Sequence, residues 1–133
     1  MHFYDTEPGL VEATYTVKDQ YQGYPGVVHG GIIAAMMDEV MGRVFMGGGK
    51  TRFMVTAELK IRYRKPVPVG KPLTLRGRAI SDNGKIGRAE GEILDAEGKL
   101  LVQGEIVVAD LPKELAIAAP TGDSGWRVYP DKE

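Results

Sequence analysis

Cysteine is absent from this chain of 133 residues. That excludes disulfides, zinc–thiolate sites and a cysteine nucleophile. Histidine is nearly absent as well. Only His2 and His29 occur, too few for a histidine-rich metal site. Neither sign of charge prevails, with 26% charged residues and a formal net charge of −1. The basic excess of a general nucleic-acid binder is therefore missing. No apolar run reaches the ~18 residues of a membrane-spanning helix. The first ten residues, MHFYDTEPGL, are acidic and lack the basic-then-apolar pattern of a signal peptide. These absences lead to the expectation of one cytoplasmic globular domain, with no metal, no cofactor, and neither nucleic acid nor membrane as partner.

What is present alternates. In LVEATYTVKD, Val11, Ala13, Tyr15 and Val17 share one face, the mark of a half-buried strand. The glycine- and aromatic-rich QYQGYPGVV reads as a loop. From Gly30 to about Met46, residues such as Ala34, Ala35, Met36, Met37 and Met41 predict a helix, stopped by Gly47–Gly49. Its apolar residues wrap most of the circumference, which predicts a buried helix. Four more strands follow. In the first, Val55, Ala57, Leu59, Ile61 and Tyr63 fall on one face, and Thr56, Glu58, Lys60, Arg62 and Arg64 on the other. Next come KPLTLRGRAIS, with Leu73 and Leu75, and IGRAEGEIL, flanked by the turn signals SDNGK and DAEGK. KLLVQGEIVVAD closes the set, with Leu100, Val102, Ile106 and Val108 in phase. Short turns imply an antiparallel meander, so the expected class is α+β, one long helix on a curved antiparallel sheet. Residues 1–110 form this domain and 111–133 a C-terminal tail, partly irregular. The tail is expected to be polar, turn-rich and loosely packed, with a helical turn in LPKELAIAAP; docking of Trp126 and Tyr129 on the body or on a partner is the alternative.

The chemistry gathers around VVHGGIIAAMMDE, residues 27–39. A helix starting at His-Gly-Gly offers unbonded backbone N–H groups at its positive end, and glycine lets a substrate approach that backbone. An unpartnered carboxylate within an apolar helix is costly, so Asp38 calls for an explanation. It lies eight residues beyond Gly30, or ~12 Å along the axis. One chain therefore does not bring both to one carbonyl. Two antiparallel helices of a homodimer would, each giving its start to one site and its Asp38 to the other. Glu39, turned ~100° away, reads as a solvated residue. MGGGKT is not a phosphate loop, because Val44 stands where that motif needs glycine and the run follows a helix instead of opening one.

The run GYPGVVHGGIIAAMMDEVMG resembles the helix motif of hotdog-fold acyl-CoA thioesterases, in the branch of the phenylacetate-pathway thioesterase PaaI. VTAELKIRYRKPVPVGKPL resembles that family's following strand, and the likeness covers roughly residues 10–110. The resemblance implies a hotdog fold, an acyl-CoA substrate and a homodimer or homotetramer with sites at the dimer interface. It makes Asp38 the general base or nucleophile and Gly30 the N–H that polarises the thioester carbonyl. His29 becomes a positioning residue and Thr56 a hydroxyl that orients water or the acid. Many relatives carry Asn where this chain has Gly23, and the neighbouring Gln22 is the candidate substitute. Gly31, Gln22 and Tyr24 are candidate substrate contacts, and Arg64 and Lys65, with Arg62, candidates for the phosphates of coenzyme A. Met36, Met37 and Met41 either line the acyl cleft or pack in the core. Two alternatives share the fold, a non-catalytic acyl-CoA-binding protein and a hydratase or dehydratase. Asp38 disfavours the first, and the placing of the one central histidine, His29, in the Gly-Gly junction disfavours the other.

Overall fold

A computed structural model of the chain describes residues 2–46 and 54–111. The elements run β1 (His2–Glu7), β2 (Leu10–Thr16), α1 (Gly30–Arg43), β3 (Met54–Tyr63), β4 (Pro72–Asp82), β5 (Ile86–Leu94) and β6 (Leu100–Asp110), with a 3-10 turn at Asp19–Tyr21. The strands make one antiparallel sheet in the order β1-β2-β4-β5-β6-β3, and α1 packs across its centre. One long helix on an antiparallel sheet is the expected architecture.

Two features of the sheet differ from expectation. The extra strand β1 pairs with β2 through a turn at Pro8-Gly9, where Gly9 has φ 79°. The meander holds only for β4, β5 and β6, because β3 pairs with β6 at the far edge. Pro66 and Pro68 lie in the β3–β4 link, and proline cannot continue a ladder or donate to one. The link instead runs past the loop before the helix, where the Val28 N–H donates to the Val67 carbonyl (2.8 Å).

The helix is also shorter than expected, ending at Arg43. Turn bonds from Phe45 N–H to Gly42 O and from Met46 N–H to Arg43 O close the chain and swing Phe45 into the core. The expected stop at Gly47–Gly49 and the expected tail from residue 112 onward lie outside the described residues. Burial of α1 is one-sided. Ile33, Met36, Met37, Val40 and Met41 pack on the sheet, while Gly31 and Ala35 are exposed and Ile32 and Asp38 half-buried. The apolar circumference is thus covered on the sheet side only.

Glycine sets how deeply the helix sits. Gly77, Gly91 and Gly104 are direct cross-strand neighbours on β4, β5 and β6. A Cβ on Gly77 would lie 2.5 Å from the Val40 carbonyl oxygen, one on Gly91 2.7 Å from Met41 Cγ, and one on Gly104 2.8 Å from Met37 Cε. Real Cβ atoms do not approach so closely. The three glycines form a trough in which α1 lies.

At the β5–β6 turn, Asp95 Oδ1 accepts from the backbone N–H groups of Glu97 and Lys99 (2.9 and 2.8 Å). The Lys99 bond chiefly holds the Asp95 carboxyl below its usual range. A depressed folded pKa gives stability that is present above the unfolded pKa and lost as pH falls through the folded one. Asp95→Ala should therefore lower Tm at neutral pH, and its gap to the parent should close on acidification. A gap independent of pH in thermal melts would contradict this account. Among the described residues, no helix is long and apolar enough to cross a membrane.

Candidate active site

The start of α1 is built around His29. Its Nδ1 accepts from the Gly31 N–H at 2.9 Å, so the ring caps the helix and carries its proton on Nε2. The His29 carbonyl accepts from Ile32 and Ile33 N–H (3.0 and 3.1 Å). Of the first four helical N–H groups, only that of Gly30 has no hydrogen-bond partner among the described residues. A donor without a partner at a positive helix end is what a carbonyl or oxyanion needs. Gly31 serves the cap: a Cβ there would lie 3.1 Å from His29 Nδ1. Gly31 is thus the residue that makes room for the imidazole, and its own N–H is occupied by it.

Asp38 projects from the uncovered side of α1. The Thr56 hydroxyl, on β3, donates to Asp38 Oδ1 at 2.6 Å. Simple alternation would put Thr56 on the outer face with Glu58 and Lys60. The register breaks between them: Thr56 pairs with Val108 and Glu58 with Val107, leaving Ala57 as a β-bulge. One extra residue turns Thr56 toward the helix and Val55 outward, where it is exposed. Beyond the bulge, Leu59 and Ile61 pack against the core as expected. The expected face of Val55, Ala57 and Thr56 is corrected accordingly. Nothing in VTAEL signals the bulge, since Ala57 is neither Gly nor Pro.

Other candidates take different places. Glu39 pairs with Arg43 one helical turn on, Nε to Oε1 at 3.2 Å, as a solvated side chain does. Met36, Met37 and Met41 are buried against the sheet. They are core, as helical spacing over a sheet requires. The Gln22 Oε1 accepts from Gly26 N–H (2.9 Å), which commits that oxygen to its own loop. Gly23 has its N–H on the Val27 carbonyl, and a Cβ there would meet His29 Cα at an ordinary 3.5 Å. Tyr24, 82% exposed, stands at the loop tip. Arg64 donates from Nε to Gln103 Oε1 (2.8 Å) and joins Lys60, Arg62, Arg78, Glu90, Glu92 and Glu105 around a shallow cavity of about 220 Å³. That cavity is on the face of the sheet opposite α1, so Arg64 does not meet Asp38 or Gly30 within one chain. The backbone N–H groups of Arg64 and Lys65 both donate to the Leu101 carbonyl. One contact is not legible in the sequence as part of the site: the Tyr63 hydroxyl donates to the Gly30 carbonyl at 2.9 Å. Tyr63 is half-exposed on the helix side at the end of β3, an odd place for a residue read only as apolar, and that is the available signal.

One helix laid across a curved antiparallel sheet is the hotdog fold. The chain belongs to the thioesterase superfamily, whose family model matches residues 25–102. It is similar to an acyl-coenzyme A thioesterase of Xenopus laevis, 32% identical over 108 residues, which cover 74% of this chain and 47% of that one. A solved thioesterase superfamily protein shares 38% identity with a TM-score of 0.71, covering 79% of this chain and 53% of that one. Streptococcus mutans smu.793, solved bound to acetyl CoA, shares 25% identity with a TM-score of 0.74, covering 84% and 88%. The chain spans about half the length of the first two.

Proposed function

We propose that this protein hydrolyses acyl-coenzyme A thioesters to the free acid and coenzyme A. The observation that carries the reading is the Asp38 carboxylate, half-buried on the uncovered side of α1 and fixed by the Thr56 hydroxyl. Thr56 occupies Oδ1 and leaves Oδ2 to take a proton. In the proposed reaction Asp38 removes a proton from water as the water oxygen bonds to the thioester carbon. The carbonyl electrons move to oxygen, held by the Gly30 N–H. Collapse of the tetrahedral intermediate breaks the C–S bond. The departing thiolate takes the proton from Asp38, which restores the carboxylate. His29 keeps the helix start in place, and Gly31 makes room for it.

Each site takes Gly30 from one copy and Asp38 from another, since ~12 Å of helix separates them. Two features support such an assembly. Among the described residues, the side of α1 bearing Gly31, Ala35 and Asp38 is uncovered, and β3 is an edge strand with one row of backbone groups unpaired. A second copy would cover both. Arg64 and Lys65 are proposed as contacts to the coenzyme phosphates of a site completed by the partner. The relative named as an acyl-coenzyme A thioesterase and the neighbour bound to acetyl CoA support the substrate class.

The test is release of free thiol from a panel of short, medium and aromatic acyl-CoA substrates by purified protein. Thiol release from at least one member is expected. Binding without release throughout would leave an acyl-CoA-binding protein instead, and water addition to an enoyl-CoA without release would indicate a hydratase.

A further inference from the structure

Resting on that reading, we propose that Tyr63 is a positioning residue that aims the Gly30 N–H at the substrate carbonyl. Gly30 and Gly31 have the freest backbones of any residue type, which suits close approach but blurs the direction of a donor. The structure restrains both peptide planes that flank Gly30. On its N-terminal side, the His29 carbonyl accepts from the Ile32 and Ile33 N–H groups. On its C-terminal side, the Gly30–Gly31 peptide is gripped at both ends. Its N–H donates to His29 Nδ1 and its carbonyl accepts the Tyr63 hydroxyl, each at 2.9 Å.

The tyrosine is itself firmly based. Its backbone pairs with Val102 at the end of β3, and the next two N–H groups both donate to the Leu101 carbonyl (2.9 and 3.0 Å). The ring lies alongside Gly30, whose added Cβ would be 3.7 Å from the hydroxyl and 3.9 Å from Cε1. Half of the residue is nevertheless open to solvent, at 52%. Apolar burial therefore does not account for its placement, whereas the hydroxyl contact does. The strand that offers Thr56 to Asp38 thus also reaches the helix start. One strand holds both functional ends of the helix. An oxyanion donor works by being oriented before the reaction, so slack at Gly30 weakens the transition state more than the ground state.

Tyr63→Phe keeps the ring and removes the hydroxyl; Tyr63→Leu removes both. Both are measured in the full chain for acyl-CoA hydrolysis and for amide hydrogen exchange of residues 30–33. Both variants should lose about tenfold in kcat with KM within about twofold of the parent, and exchange over residues 30–33 should quicken. Unchanged kcat in Tyr63→Phe would overturn the proposal, since ring packing or nothing would then be the role. A raised KM at constant kcat would also overturn it, as direct substrate binding. Should the parent release no thiol from any acyl-CoA, the hydrolase reading fails by itself, and exchange decides for Tyr63. Faster exchange in Tyr63→Phe upholds the positioning role at the helix start, and unchanged exchange refutes it.

Discussion

Asp38→Asn should fold as the parent does and lose about three orders of magnitude in kcat. The amide is nearly isosteric and keeps an oxygen to accept from Thr56, so the 2.6 Å contact survives as a neutral bond. What disappears is the ability to take a proton from water. The carboxylate is only half-buried in one chain, and among the described residues its removal leaves no stranded partner beyond a threonine hydroxyl. The effect therefore falls on turnover, not on stability. Circular dichroism and thermal melts establish folding, and thiol release gives kcat. A folded variant with near-parental kcat would remove Asp38 from the chemistry.

The second large effect concerns two inactive variants that restore each other. Gly30→Val should block approach to the helix-start N–H while keeping Asp38. A Cβ on Gly30 has only ordinary contacts, the nearest at 3.7 Å to the Tyr63 hydroxyl, and thermal melts of the variant establish that the two further methyls of valine leave it folded. Asp38→Asn keeps Gly30. Each variant alone should be inactive. When they are co-expressed, a mixed dimer has one intact site. That site takes Gly30 from the Asp38→Asn copy and Asp38 from the Gly30→Val copy. With random pairing about half the dimers are mixed, and each regains one of two sites, so activity should return to roughly a quarter of the parent's. Mixed dimers isolated with two different affinity tags provide the check, and should show about half of the parent's activity. If they assemble and stay inactive, the site is not shared between copies in this way.

The parts of this architecture that follow from local pattern are legible in the sequence. Period-two alternation marks β2, β4, β5 and β6, and the run from Ala34 to Met41 marks the helix. Asp38 stands out because an acid in an apolar helix conflicts with its surroundings. What is not legible depends on partners distant in sequence. The bulge at Ala57 arises from pairing with β6 and leaves no local signature, so Thr56 takes its role from resemblance while alternation puts it on the wrong face. Strand β1 is short and needs only one neighbour, and its one clue is the Pro8-Gly9 turn. The edge position of β3 follows from a link that cannot fold back at Pro66 and Pro68. The role of Tyr63 requires knowing that its strand end meets the helix start.

The row of Gly77, Gly91 and Gly104 has a consequence for how this protein tolerates sequence change. None of the three is among the proposed reacting groups, yet together they fix the height of α1 above the sheet and so the span from Asp38 to Thr56. A methyl group at any one of them acts like a shim under a bearing. The helix would be lifted by a fraction of an ångström, while every reacting group kept its identity. Because a contact of 2.6 Å is sensitive to such a lift, loss of rate can enter through the floor of the molecule with the proposed reacting groups untouched. Alanine at one of these glycines, harmless by its chemistry, would leave a chain whose helix and strand each carry the right residue at the wrong height.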